Sequence, residues 1–317
     1  MNRDNPHITV VGDLILDRYL FGDATKLNPE QPGVVIRVDK EEERLGGAAA
    51  VAKIAVGLGA RVTLAGVVGR DEHGDRLRRL IDANGIEPHL WIDSRPTTWK
   101  QRIVTRGQLR PDRCDREVTT PIGEHAARFM STVPIGNMLL ISDYGKGVCT
   151  PSLLRALGNR TSDADVPILV DPARGRSWSD YGQVTLIKAN WAEATEAEGD
   201  CKLGPLDLGR RLSDRYGCHV VVTLGRHGMV CAERDRATWY LPAEPTEVRD
   251  VCGAGDTVLA SIGTAMLAES LLRTACRFAL NVAKHQLPHV GISNVAGEVD
   301  CGRDAENILR LNRRRST

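Results

Sequence analysis

Short apolar runs of the kind that fill a fully buried strand alternate with helical patterns along most of the chain, and this alternation limits the possible folds more than any single motif does. Strands buried on both faces read as continuous Val/Ile/Leu runs, whereas the crossover helices between them repeat near 3.6 residues. The combination specifies an α/β domain on a mostly parallel sheet. The pattern predicts strands around Ile8–Val11, Val62–Val68, Met138–Ser142, Ile168–Asp171, Thr185–Lys188 and Val220–Thr223. It predicts helices over Ala48–Gly57, Asp71–Asn84, Gly123–Thr132, Pro151–Leu157, Ala192–Glu198, Leu206–Tyr216, Ala254–Ala268 and Leu271–Gln286. Several strands end in a polar residue just before a helix, as in Ile141-Ser142-Asp143 and Val170-Asp171-Pro172. In open α/β sheets that edge is where ligands bind.

Two regions break the alternation, Tyr19–Lys40 and Trp91–Glu117, the latter with its β-friendly Thr97–Thr105. Both are expected as strands outside the main sheet, forming a small lid (19–40 and 91–117) on one domain that spans residues 1–317. A pair of ordinary surface hairpins fits the same pattern. The 42 basic and 41 acidic residues nearly cancel, so no global field recruits nucleic acid or an anionic membrane. Eight cysteines without CxxC spacing read as reduced thiols. The apolar stretch around Val10 is broken at Gly12 and Asp13, and no later run approaches ~20 residues, so a cytoplasmic protein is expected. GxxxxGK[ST], HExxH and GxSxG are absent, and Gly57-Leu58-Gly59-Ala60-Arg61-Val62 lacks the third glycine of a dinucleotide fingerprint.

The chemistry concentrates in Val251-Cys252-Gly253-Ala254-Gly255-Asp256-Thr257, where a loop becomes the apolar helix of Val258–Leu267. Amides of Gly253, Ala254 and Gly255 in a first turn lack intrahelical partners and can point at an anion. Asp256 beside them is placed to accept a proton from a hydroxyl attacking phosphorus. A helix N-terminus favours the ionised carboxylate, so a lowered pKa is expected, and a plain glycine-rich turn fits the same residues.

These residues, taken with others, carry a resemblance over almost the whole chain to ribokinase-family (phosphofructokinase-B-type) sugar kinases. It rests on Gly46-Gly47-Ala48-Ala49, Gly66-Val67-Val68-Gly69-Arg70-Asp71-Glu72-His73-Gly74, Asn190-Trp191-Ala192-Glu193 (NxxE), Thr223-Leu224-Gly225-Arg226-His227-Gly228 (TxGxxG) and Asp250–Thr257, in the family's order. Leu16-Asp17-Arg18-Tyr19, Asn28-Pro29-Glu30-Gln31-Pro32 and Ser142-Asp143-Tyr144-Gly145-Lys146-Gly147 narrow it to kinases of D-glycero-D-manno-heptose 7-phosphate in lipopolysaccharide-core biosynthesis. The resemblance implies a ribokinase-like fold and transfer of the ATP γ-phosphate to the anomeric hydroxyl, with Mg²⁺ as cofactor. A kinase of another sugar or sugar phosphate and a non-catalytic regulatory relative remain as alternatives. No motif of a nucleotidyl-transfer domain is present, so a later adenylyl transfer is expected to need another protein.

Site residues follow from the resemblance. Asp256 with Gly253, Ala254 and Gly255 is the catalytic set. Asp13 accepts hydrogen bonds from sugar hydroxyls or caps its turn, and the Gly46-Gly47 backbone approaches the sugar or caps a helix. Lys100, Arg102, Arg106, Arg113 and Lys146 are candidate cations for the substrate phosphate, Lys100 and Arg102 falling on one face of a strand. Asp143 joins them on the substrate side. Asn190, Thr223, Gly225, Gly228 and Asn281 are assigned to the nucleotide. Gly225 and Gly228 also suit a hairpin. Glu193 either organises Mg²⁺ through water or completes a capping box with Asn190. Cys252, Ala50 and Lys284-His285-Gln286 depart from the family pattern. The expected partners are a small-molecule sugar phosphate and a second copy of the chain joined through lid strands.

Overall fold

The computed structural model describes residues 6–30, 32–105, 112–199, 202–246, 252–268 and 270–286. The chain runs β1 His7–Gly12, β2 Leu14–Leu27, β3 Val34–Gly47, α1 Ala48–Gly57, β4 Arg61–Gly69, α2 Glu72–Ala83, β5 Glu87–Asp93, β6 Trp99–Thr105 and β7 Asp112–Arg116. It continues α3 Glu124–Ser131, β8 Met138–Ser142, α4 Pro151–Asp163, β9 Ile168–Asp171, β10 Leu186–Asn190, α5 Trp191–Glu198, α6 Pro205–Tyr216 and β11 His219–Thr223. The last elements are β12 Met229–Ala232, β13 Thr238–Leu241, α7 Ala254–Leu267 and α8 Leu272–Gln286.

The main sheet has the order β13-β12-β11-β10-β9-β8-β1-β4-β5. It is parallel from β5 through β11, and β12 and β13 join antiparallel. The continuous apolar strands are buried on both sides for a visible reason. In β8, Met138 and Leu140 enter the core shared with α1, α2, α7 and α8, while Leu139 and Ile141 enter the one shared with α3, α4, α5 and α6. Each predicted helix is present, with ends shifted by a few residues. The largest shift is in α4, which runs on to Asp163 behind a Thr150 cap and a proline in its first turn.

A second sheet, β3-β2-β6-β7, stands outside the first. It corresponds to the expected lid with different limits, since β2 and β3 begin and end next to Asp13 and α1. The segment Trp91–Asp93, assigned by the sequence reading to the lid, instead belongs to β5 at the edge of the main sheet. That strand carries Pro88 and has no fully buried residue, so its apolar run is only the three residues Leu90-Trp91-Ile92 between polar neighbours, too short to announce it. Among the described residues, no helix is long and apolar enough to cross a membrane.

Candidate active site

The two sheets meet over the carboxyl edge of the main one. Along β2, alternation sends Ile15, Asp17 and Tyr19 to one face, and pairing sets Asp17 opposite Arg44 of β3 on one side and Lys100 of β6 on the other. Arg102 lies opposite Tyr19 and reaches across to Asp17, Nη1 to Oδ1 2.7 Å. Arg44 and Arg102 each lie over the Tyr19 ring, and Lys100 Nζ sits 5.1 Å from the Tyr144 ring centre. These residues wall a cavity of about 180 Å³ closed on the other side by Gly47, Cys252, Gly253 and Asp256. A larger groove, about 570 Å³, lies between α4 and Ser179–Thr185. It holds none of the predicted site residues, so chemistry rather than size selects the smaller cavity.

Asp256 stands in the first turn of α7, as expected, behind Gly253 in a left-handed conformation (φ 76°). Its pKa is the first correction. Burial, then the neighbouring Asp171, push it up from 3.8 to about 7, against the pull of Lys188 and the Tyr144 hydroxyl. A helix N-terminus is worth at most ~2 kcal/mol to an anion, while a shift of this size corresponds to ~4 kcal/mol, so desolvation wins. Beneath the turn, Lys188 is buried and pairs with Asp171 at 2.6 Å. Desolvation opposes the ammonium, but Asp171, together with Asp256 and Glu193, outweighs it, and the Lys188 pKa is raised. A Cβ added at Gly255 would lie 2.8 Å from Lys188 Nζ, so glycine is what lets the helix turn settle on this cation.

Asp13 is the second correction. It sits after β1 as predicted, but its carboxylate is buried and spent on the loop after β8: Oδ2 accepts from Tyr144 N (2.7 Å) and Lys146 N (3.0 Å), and Oδ1 from Val148 N (3.2 Å). Burial and the adjacent Asp143 raise its pKa to about 6. Asp143 is likewise committed, accepting from Gly145 N (2.8 Å), Arg176 Nη1 (2.6 Å) and Tyr181 Oη (2.8 Å). Neither acid lines the cavity. The acid that does so on the lid side is Asp17, whose signal was its place in the alternation of Ile15, Asp17 and Tyr19.

Of the candidate phosphate cations, the structure brings Lys100 and Arg102 into the cavity and adds Arg44. Lys146 instead pairs with Glu117 at 2.6 Å, and Arg113, half exposed on β7, with Asp115 at 2.9 Å. Arg106 lies outside the described residues. Gly47 lines the cavity with a positive φ (59°), and a Cβ at Gly46 would meet Asp17 Oδ2 at 2.5 Å. Ala50, where the family pattern has a polar residue, is wholly buried in α1.

Of the residues the resemblance assigns to the nucleotide, Asn190 and Thr223 are paired neighbours at the ends of β10 and β11. Asn190 and Glu193 form both bonds of a capping box: Glu193 N to Asn190 Oδ1 (3.0 Å) and Asn190 N to Glu193 Oε2 (2.9 Å). Burial raises the Glu193 pKa. Gly225 and Gly228 flank the tight turn between β11 and β12, both with positive φ, and a Cβ at Gly228 would sit 2.1 Å from the Leu241 carbonyl oxygen. Asn281 is half-buried on α8, which packs on α7. Among the described residues, no cluster of three or more His, Cys, Asp or Glu could cage a metal. Mg²⁺ bound through nucleotide phosphates needs only one or two carboxylates, and Glu193, half-buried and with the Asp171 charge near enough to act on it, fits that role.

Comparison with known proteins matches residues 5–296 to the model of the pfkB family carbohydrate kinases. The chain belongs to the pfkB family of carbohydrate kinases. Among sequence relatives of this pfkB kinase, the bifunctional protein HldE of Caulobacter vibrioides is 39% identical over 282 residues, covering 86% of this chain and 58% of the relative. The HldE of Pseudomonas aeruginosa is 35% identical over 315 residues, covering 95% and 61%. The chain thus spans about three fifths of the length of the curated relatives it matches. In fold, the pfkB kinase is similar to the phosphofructokinase-2 of Escherichia coli solved with substrates and products (TM-score 0.78, 17% identity, 96% of this chain and 98% of that one). It is also similar to an Arabidopsis thaliana ribokinase complexed with ribose and ATP (TM-score 0.70, 17% identity, 97% and 99%). The ribokinase-like α/β architecture expected from the sequence is therefore the one present.

Proposed function

We propose that this carbohydrate kinase transfers the γ-phosphoryl group of ATP to the anomeric hydroxyl of D-glycero-D-manno-heptose 7-phosphate, giving the 1,7-bisphosphate. The observation that carries this reading is the charge layout of one small cavity: Asp256 and the α7 amides at one side, and Arg44, Lys100 and Arg102 from the lid at the other. A sugar that already bears a phosphate needs such a divided site, cations for the standing phosphate and a base for the distant hydroxyl. The likeness to the HldE relatives supports a heptose phosphate as that sugar.

In the reaction, the anomeric oxygen attacks the γ-phosphorus while its proton passes to Asp256, the bond to the β-phosphate bridging oxygen breaks, and ADP leaves. The amides of Gly253, Ala254 and Gly255 stabilise charge gathering on the phosphoryl oxygens. Lys188, beneath Gly255, adds a buried positive charge at the same place. Asp17, held by Arg102, presents its carboxylate to sugar hydroxyls, the role first assigned to Asp13. Mg²⁺ would be held by the nucleotide phosphates with Glu193 reached through water, and it would supply charge neutralisation between donor and acceptor.

The exposed apolar side chains Leu27, Val34, Val35 and Val38 on β2 and β3 support a homodimer through the lid, with a dimeric mass by light scattering as the expected outcome and a monomer as the contrary one. ADP release with MgATP and heptose 7-phosphate, fructose 6-phosphate, ribose or fructose tests the activity. Turnover with the heptose phosphate that Asp256→Asn abolishes is expected. Preference for another sugar would move this chain to the alternative, a pfkB kinase of different specificity.

A further inference from the structure

The loop after β8 points a phenol straight at the candidate base. Tyr144 Oη donates to both oxygens of Asp256, at 2.9 Å to Oδ1 and 3.1 Å to Oδ2. The residue is fixed from two other sides. Its backbone N–H is held by the buried Asp13 carboxylate at 2.7 Å, and its ring lies under Lys100 Nζ. We infer that Tyr144 is a positioning residue for the general base, its hydroxyl holding the Asp256 carboxylate in the orientation that leaves the remaining lone pairs to the attacking sugar hydroxyl. The inference deepens the kinase reading and rests on it.

A carboxylate has about four acceptor positions, and a hydroxyl shared between the two oxygens leaves room for the sugar proton on the cavity side. The phenol keeps its own proton throughout, because desolvation and the Asp256 charge hold its pKa well above the usual phenolic value. It therefore acts as a fixed donor and not as a relay. A charge-assisted bond of this kind both orients the carboxylate and favours its ionised form. Several other charges face Asp256: Asp171 of β9, Lys188 of β10 and Asp17 of β2 act on it directly, and Arg44, Lys100 and Arg102 share its cavity, as does the Cys252 thiol. Only the contribution of the Tyr144 hydroxyl is removed by Tyr144→Phe, since the ring under Lys100 stays. The same geometry also accounts for Asp13, which does not line the cavity but shapes the loop that delivers Tyr144.

The test has one arm that needs no sugar. In protein labelled with ¹³C at aspartate Cγ, the Asp256 signal is identified by its loss in Asp256→Asn and titrated with pH. Tyr144→Phe is expected to raise its midpoint by about one pH unit, the size of a hydrogen bond to a charged group. Difluorotyrosine at position 144, a stronger donor of the same shape, is expected to lower it. In the kinase assay, Tyr144→Phe should move the acid limb of the kcat profile upward by the same amount and reduce the plateau kcat about tenfold, with KM for ATP changed less than about twofold. An Asp256 midpoint that ignores both replacements overturns the inference even if the enzyme is active. Midpoints that shift in a protein with no turnover on any sugar uphold Tyr144's hold on Asp256 and overturn the kinase reading instead.

Discussion

Replacing Asp256 by asparagine should make the protein more stable at alkaline pH while abolishing its activity. The carboxyl group is buried, and its pKa is raised from 3.8 to about 7. A group whose folded pKa lies above its unfolded value binds its proton more tightly when folded, so stability is lost as pH rises from the unfolded value to the folded one. The loss begins near pH 4 and is complete above pH 7. Its size, about three pH units at ~1.4 kcal/mol each, is ~4 kcal/mol. Asparagine carries no charge to desolvate, its carbonyl still accepts from Tyr144, and the attraction of Lys188 for the carboxylate is already contained in the pKa of about 7. A net gain approaching ~4 kcal/mol at pH 8 is therefore expected, or roughly 8 °C in Tm for a chain of this size. Thermal or denaturant midpoints of both proteins at half-unit steps from pH 4.5 to 8.5 measure it. The difference should grow through pH 5 to 7 and then level. A variant that is no more stable than the parent at pH 8, or a difference that does not change with pH, would refute the desolvation argument. Activity of the parent should rise across pH 7 as the base ionises.

Lys100→Met should raise KM for the sugar phosphate by roughly tenfold to fiftyfold with kcat nearly kept, because a point charge that holds a standing phosphate acts equally on ground and transition states; KM values for phosphorylated and unphosphorylated sugars compare it directly. Glu193→Gln separates two roles of one residue: glutamine still closes the capping box, so Tm should fall by no more than ~1 °C, whereas KM for MgATP should rise about tenfold if the carboxylate organises the metal and stay put if it only caps. Gly228→Ala should lower stability by about 2 to 4 kcal/mol, since the backbone there has φ 95° and a Cβ would stand 2.1 Å from the Leu241 carbonyl oxygen, and chemical denaturation reads the loss.

The strand and helix order was legible because burial on both faces imposes a local composition: Met138–Ser142 and Val220–Thr223 can be recognised as strands without knowing their neighbours. The alternation of Lys100 with Arg102 placed both on one strand face, and the structure brings both to the cavity. The glycines before Asp256 marked a helix start for an equally local reason. Where the environment is assembled from distant segments, the same reasoning went astray. Asp13, just after β1, and Asp17, early in β2, are acids four residues apart, and nothing in their local sequence shows that one is consumed by amides about 130 residues away in sequence while the other faces a cavity. Asp256 was expected to be more acidic than usual from its helix, and burial under the lid with Asp171 beside it made it less so. Periodicity and turn chemistry are written within a few residues of each position, so the sequence alone determined the architecture and the family. Desolvation, the choice of hydrogen-bond partner and the sharing of charge depend on which atoms lie within a few ångströms in space, and only the tertiary structure decided which acid meets the cavity and how tightly it holds its proton.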